Sequence, residues 1–333
     1  MIQIEAEVMK KIIVDVSAEA KIQRELIVRP LRNVIDRSSR LLDENEYALI
    51  PLLPLLKHVN SHHNQLSSLA DNANGQIPYQ AFYNKLRSKC TSSLDEFLDR
   101  LASDSNKYVP DDGNVHQITS DTLNFLNGLL EYRQTVSQLL TTSSSNNSSH
   151  HLPRLFARIL SALGLNLKNK AENYSDETLA AIFLLNNNNY IHSILQNDGM
   201  LSIVCEHNAQ IHSFYRSEIN LYKSKYLQSW NKVVATLLSD ELIITDRHSI
   251  KAVILAFNAE FEKVVNTQKD YCITDLKLSC DIKNEVKNLV CEKYADFYAR
   301  INRLQIFRGL EKHLKYTPQS LERVMDRLFV VSG

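Results

Sequence analysis

Ser249-Ile-Lys-Ala-Val-Ile-Leu-Ala-Phe-Asn-Ala-Glu-Phe-Glu-Lys-Val-Val265 is the stretch whose reading decides the fold. Its apolar residues Ile250, Val253, Ile254, Phe257, Phe261, Val264 and Val265 recur at three- and four-residue intervals. On a helix of about 3.6 residues per turn that spacing makes one continuous apolar stripe. A strand would scatter the same side chains over both faces.

The pattern repeats in both directions. Downstream, Asp281 to Leu304 carries Ile282, Val286, Leu289, Val290, Phe297, Ile301 and Leu304 as a second stripe. Thr317-Pro318 reads as an N-cap followed by proline at the first helical position, with Leu321, Val324, Leu328 and Phe329 facing inward. Upstream, Met200 to Leu238 reads as one long helix or two stacked ones. Ser175 is placed to cap a helix with Asp176 and Glu177 in its first turn, where carboxylates favour the positive end of the dipole. Pro153 to Leu167 is another helix. Thr119 or Ser120 is expected to cap a helix buried through Leu123, Leu126, Leu130, Val136 and Leu140. The turns Asp71 to Pro78 and Pro110-Asp-Asp-Gly113 bracket a helix whose stripe is Phe82, Leu86, Leu94, Phe97, Leu98 and Leu101. Proline deep in a helix costs about 3 kcal/mol, so the preceding Leu-rich run is started close to Pro51. The first segment, to about Ser39, is expected to be helical through Ile12, Ile13, Val16, Ile22 and Leu26, with a break near Pro30.

The 333 residues include only 7 Gly and 7 Pro, far below the average of about 7% and 5%, and no run alternates convincingly between apolar and polar. Successive amphipathic helices must cover each other's stripes, so an all-α fold of stacked antiparallel bundles is expected. Thr141-Thr-Ser-Ser-Ser-Asn-Asn-Ser-Ser-His-His151 buries too little apolar area to offset its ordering entropy. A linker over 143–151 is therefore expected between domains 1–142 and 152–333.

With 44% hydrophobic and 23% charged residues and a formal net charge of +0, no global field draws the chain to nucleic acid or lipid. The odd count of five cysteines, none spaced Cys-x-x-Cys, argues for free thiols in a reducing compartment. No signal peptide is expected, and no apolar run approaches the roughly 18 residues of a membrane span. A cytoplasmic location follows as an expectation. No Gly-rich phosphate loop, nucleophile elbow or His-Glu-x-x-His pair is present. Cys205-Glu206-His207 with His212 has metal-ligand types, but His207 and His212 are about 500° apart on a helix and diverge. Neither an enzyme nor a metal or cofactor is expected.

The C-terminus stands out. From residue 300 onward seven basic residues (Arg300, Arg303, Arg308, Lys312, Lys315, Arg323 and Arg327) face three acids, Glu311, Glu322 and Asp326. If this stretch is helical, Arg308, Lys312 and Lys315 fall within about 60° of one another, with Phe307, Leu310 and Leu314 roughly opposite. Gly309 weakens that assumption. On charge alone the cations read as a solvated face, a surface for anionic lipid or an acidic partner, or a nucleic-acid contact. The tail lacks the interleaved aromatics of a single-strand binder.

Several motifs resemble the family of exocyst complex component seven, the membrane-targeting exocyst subunit. They are Val115-His-Gln-Ile-Thr-Ser120 with Leu126-Asn-Gly-Leu-Leu130, Ala181-Ile-Phe-Leu-Leu-Asn-Asn-Asn-Asn-Tyr-Ile191, and Ser229-Trp-Asn-Lys-Val233. Phe257-Asn258, Phe261-Glu262, Gln268, Asp275, Tyr294 with Phe297, Lys312-His-Leu-Lys-Tyr316 and Leu328-Phe329 follow in order. The likeness runs from roughly residue 45 to the end; Tyr271 stands where many members carry Trp, and the chain starts well inside the family's length. The resemblance implies an elongated rod of stacked helical bundles in a complex that tethers secretory vesicles to the plasma membrane. It implies other exocyst subunits, phosphatidylinositol 4,5-bisphosphate and Rho-family GTPases as partners, no nucleic acid, and peripheral recruitment to the inner face of the plasma membrane. Lys312 and Lys315 match the family's lipid-contacting lysines; Arg308 and Arg303 join them on position and charge alone. The rival expectation is a helical protein-protein scaffold without direct lipid binding.

Overall fold

The computed structural model describes residues 21–22, 24–73, 76–141, 151–197, 199–238, 247–303 and 310–329. Among these the fold is all-α, with no strand. A π turn, Arg24–Val28, leads into α1 (Arg29–Glu44), followed by α2 (Leu49–Ser61), α3 (His63–Asn72) and α4 (Tyr79–Ser103). Then come α5 (Gln117–Glu131), α6 (Arg133–Thr141), α7 (His151–Ala171), α8 (Glu177–Asn197) and α9 (Met200–His207). The remainder is α10 (Ile211–Gln228), α11 (Asn231–Leu238), α12 (Arg247–Gln268), α13 (Leu276–Arg303), a 3-10 turn Glu311–His313 and α14 (Pro318–Met325).

Two compact units arise, one from Met1–Ser103 with Asn124–Ile159, the other from Asp104–Leu123 with Leu160–Gly333. The expected linker falls inside the first unit's sequence, and its residues 143–150 lie outside the described residues. The segment 104–123 joins the second unit for a polar reason. The Lys170 ammonium bonds the Asp104 carboxylate at 2.8 Å and the Asn106 carbonyl at 2.5 Å, Tyr174 donates to the Pro110 carbonyl, and Asn186 to that of Gly113. The hydrogen bond from Lys170 holds the Asp104 carboxyl below the usual carboxylate range.

In the first unit α4 is the centre, packed by α1, α2 and α3. Its buried residues are Tyr79, Phe82, Leu86, Cys90, Ser93, Leu94, Leu98 and Leu101, close to the stripe read from the sequence. Phe97 stacks on Phe125 with ring centroids 3.7 Å apart. Gly128 lets α5 approach α2 closely: a Cβ there would stand 2.8 Å from Ile50 Cδ1. Two stripes shift by one residue. Ile27 is buried and Leu26 exposed, because the π turn adds a residue just ahead of Pro30. Leu129 and Leu139 are buried in place of Leu130 and Leu140, on two helices that the chain separates at Tyr132.

In the second unit α8 packs along α10, α9 rests on both, and α11 joins α12 and α13. The run over 200–238 is three helices rather than one or two. Val286, Val290, Phe297 and Ile301 are buried on α13, and Ile250, Ile254, Phe257 and Phe261 on α12. Leu304 lies outside the described residues. The expected caps move. Asp176, not Ser175, caps α8 through its carboxylate to the Thr178 amide at 2.8 Å. The α5 cap is the His116 ring, whose Nδ1 accepts from the Ile118 amide at 3.0 Å, while Thr119 is wholly buried. Thr317 caps α14 as read, in a reciprocal box with Ser320.

Gly113 turns at φ +75°, and a Cβ there would lie 2.9 Å from Leu179 Cδ1 and 3.1 Å from Ile182 Cγ2. Left-handed backbone and overpacking both act against a side chain, so Gly113→Ala is expected to cost the second unit about 2 kcal/mol. Chemical denaturation measures it; a loss below about 0.5 kcal/mol would show that the turn relaxes freely.

Candidate functional site

The tail from Leu310 to Tyr316 is an irregular strap against α12 and α13, not a helix. Leu310 is buried, the Glu311–His313 turn follows, and residues 314–317 carry no regular structure. Three hydrogen bonds fix it. Asn258 Nδ2 donates to the His313 carbonyl at 2.9 Å, Tyr294 Oη to the Tyr316 carbonyl at 2.7 Å, and the His313 amide to the Leu310 carbonyl at 2.8 Å. The Tyr316 ring meets Phe261 edge-on at 5.1 Å.

The strap follows one stripe of α12. Arg247, Lys251, Asn258 and Glu262 are spaced by four, seven and four residues, within about 60° around the helix. His313 sits on Asn258 and the Lys315–Tyr316 pair one turn further, on Glu262. That direction brings Lys312 toward Lys251 and Arg247. Burial, then the charges of Lys251, Lys312 and Arg247, holds the His313 imidazole below its usual range. Among the described residues no carboxylate pairs with Arg247, Lys251 or Lys312.

The four residues singled out in the sequence fare differently. Lys312 is exposed on the 3-10 turn, and Arg303 is exposed at the end of α13. Arg308 lies outside the described residues. Lys315 is exposed but partnered: its Nζ lies 2.8 and 3.1 Å from the two Glu262 carboxylate oxygens, and Tyr316 Oη donates to Glu262 at 3.2 Å. The Lys315 hydrogen bond holds the Glu262 carboxyl below its usual range. The helical projection of Lys312 and Lys315 onto one face is therefore corrected, since a 3-10 turn and a segment without regular structure carry them. Sequence reading also missed Arg247 and Lys251.

The other candidates do not converge. His212 stacks on His192, with Nδ1 and Nε2 3.1 Å apart, while His207 ends α9 in solvent. Among the described residues no group of three or more His, Cys, Asp or Glu is arranged to hold a metal ion. Burial pushes the Cys90 and Cys291 thiols up to about 12, far from nucleophilic use. No described helix is long and apolar enough to cross a membrane.

Fold and surface together define a helical-bundle protein whose distinctive chemistry is exposed positive charge. The chain belongs to the Exo70 family of the exocyst complex: the model of that family's C-terminal region matches residues 1–327. Human exocyst complex component 7 is 26% identical over 326 residues, covering 90% of this chain and 44% of the human protein. The exocyst complex component EXO70C2 of Arabidopsis thaliana is 28% identical over 246 residues, covering 69% of this chain and 35% of that protein. The chain thus spans less than half the length of these relatives. A solved structure of S. cerevisiae Exo70 shares 20% identity over 91% of this chain and 69% of its own, with a TM-score of 0.56. A second, described with the Exo84p C-terminal domains, gives 19%, 99%, 69% and 0.57. At such identity these two speak for the fold alone.

Proposed function

We propose that this chain is part of an exocyst subunit that tethers secretory vesicles to the plasma membrane, docking on phosphatidylinositol 4,5-bisphosphate through its C-terminal basic surface. It works with other exocyst subunits and a Rho-family GTPase, in the cytoplasm and on the inner face of the plasma membrane. The observation that carries the lipid reading is the gathering of Arg247, Lys251 and Lys312, from two distant parts of the sequence, with no carboxylate partner among the described residues. Arg303 and Arg308 add charge nearby in sequence, and Lys315 adds it when released from Glu262. Each cation near an anionic bilayer contributes about 1 kcal/mol, and salt screens the attraction.

The pair Arg247→Ala with Lys251→Ala is expected to weaken flotation with phosphoinositide vesicles roughly thirty-fold. Lys312→Ala is expected to cost more than Lys315→Ala, because Lys315 starts from a carboxylate partner. Melting should change little, since Arg247, Lys312 and Lys315 are exposed and Lys251 is half-buried. Binding unaltered at moderate salt in the Arg247/Lys251 variant rejects the lipid assignment. It would favour the second reading, a protein-protein scaffold whose basic end meets an acidic partner.

A further inference from the structure

We propose that the Lys315–Glu262 pair is an exchangeable counter-ion that makes the basic surface prefer multiply phosphorylated headgroups over singly charged ones. This rests on the lipid-docking reading and adds a selectivity device to it.

Three observations carry it. The pair is exposed, with side chains 58% and 35% accessible, so a headgroup can reach Lys315 without opening the fold. Surface pairs of this kind are weak and exchange readily. And Glu262 keeps a second partner, the Tyr316 hydroxyl, so the carboxylate stays in place when Lys315 leaves. A singly charged lipid that takes Lys315 replaces one negative charge by another and leaves the Glu262 carboxylate bare beside the membrane. Nothing is gained, and the pair stays closed. A headgroup with several phosphates brings more charge than Glu262 offers, bonds Lys315 more strongly, and opens the pair. Among the described residues Arg247, Lys251 and Lys312 have no carboxylate to give up, so the exchange step falls to Lys315.

Flotation with phosphatidylcholine vesicles tests this, doped in one series with phosphatidylserine and in the other with phosphatidylinositol 4,5-bisphosphate at matched charge. Glu262→Gln keeps an acceptor for Tyr316 and frees Lys315, so binding to the serine-lipid vesicles is expected to rise about five-fold. The double variant Glu262→Gln with Lys315→Gln removes the pair as a unit. It should leave serine-lipid binding unchanged and weaken phosphoinositide binding about five-fold. Equal changes on both vesicle types, or none on either, overturn the inference while the lipid reading stands. Failure of the unaltered protein to float with either vesicle overturns both. Unchanged melting of each variant excludes unfolding as the cause.

Discussion

Trp230→Ala is expected to destabilise the second unit by roughly 3–5 kcal/mol. Trp230 is the chain's single Trp and is wholly buried. Deleting the indole removes its transfer energy and leaves a cavity that the surrounding helices only partly fill. It also cuts a hydrogen-bond chain. Trp230 Nε1 donates to Tyr226 Oη at 3.2 Å, Tyr226 to Gln268 Oε1 at 2.8 Å, and Gln268 Nε2 to Ser229 Oγ at 2.9 Å. The consequence reaches the basic surface. Trp230 lies 6.2 Å from Phe261, and Phe261 5.1 Å from Tyr316, so the ring that seats the strap loses its backing. Melting followed by far-UV circular dichroism should fall by about 10 °C. Trp230→Phe, which fills most of the volume, should lose less than half of that. A Trp230→Ala melt within about 2 °C of the parent would show that this core repacks.

What the sequence made legible follows from how each signal is encoded. Burial on α4, α12 and α13 is a local periodic property, and Leu86, Leu94, Ile254, Phe257, Val286 and Phe297 occupy the faces their spacing dictates. The Thr317 cap was equally local, since its partner Ser320 is three residues away. Boundaries were lost where helices break without Gly or Pro. Tyr132 ends α5 and restarts α6, and no residue there announces it. Caps failed where a tertiary contact claims the expected residue. Thr119 has the chemistry of a cap, but its hydroxyl donates to Asn187, across the unit, at 2.6 Å.

The basic surface was half legible for a related reason. Charge counting found the tail, where Lys312 and Lys315 are neighbours in sequence. It could not find Arg247 and Lys251, because only the Asn258–His313 hydrogen bond and the Glu262–Lys315 pair show that the strap lies along α12. Nor could it tell Lys312 from Lys315. Net charge counts both, while the structure gives one of them a carboxylate at 2.8 Å. Whether a surface cation is available depends on which residue from elsewhere in the chain stands beside it.

The sharpest case is Asn186-Asn-Asn-Asn189, four identical residues to which the structure gives unequal work. Asn187 is wholly buried, and its Oδ1 accepts from the His116 amide at 3.0 Å and the Thr119 hydroxyl at 2.6 Å, while its Nδ2 donates to the Phe183 carbonyl at 2.7 Å. Asn188 bonds the Leu184 carbonyl within its own helix. Asn187→Ala would leave two buried donors of the 104–123 segment without an acceptor, each costing about 1–3 kcal/mol, for a loss of roughly 3–5 kcal/mol. Asn188→Ala deletes only a donor that turns back on its own α8, and a loss below about 1 kcal/mol is expected, since alanine is the better helix former. Hydrogen exchange adds a readout of place. In Asn187→Ala the amides of 104–123 should lose protection ahead of those of α10 and α13, because the segment's anchor is gone while the apolar core persists. Equal melting of the two variants, with 104–123 still protected, would mean that Lys170, Tyr174 and Asn186 hold the segment without Asn187.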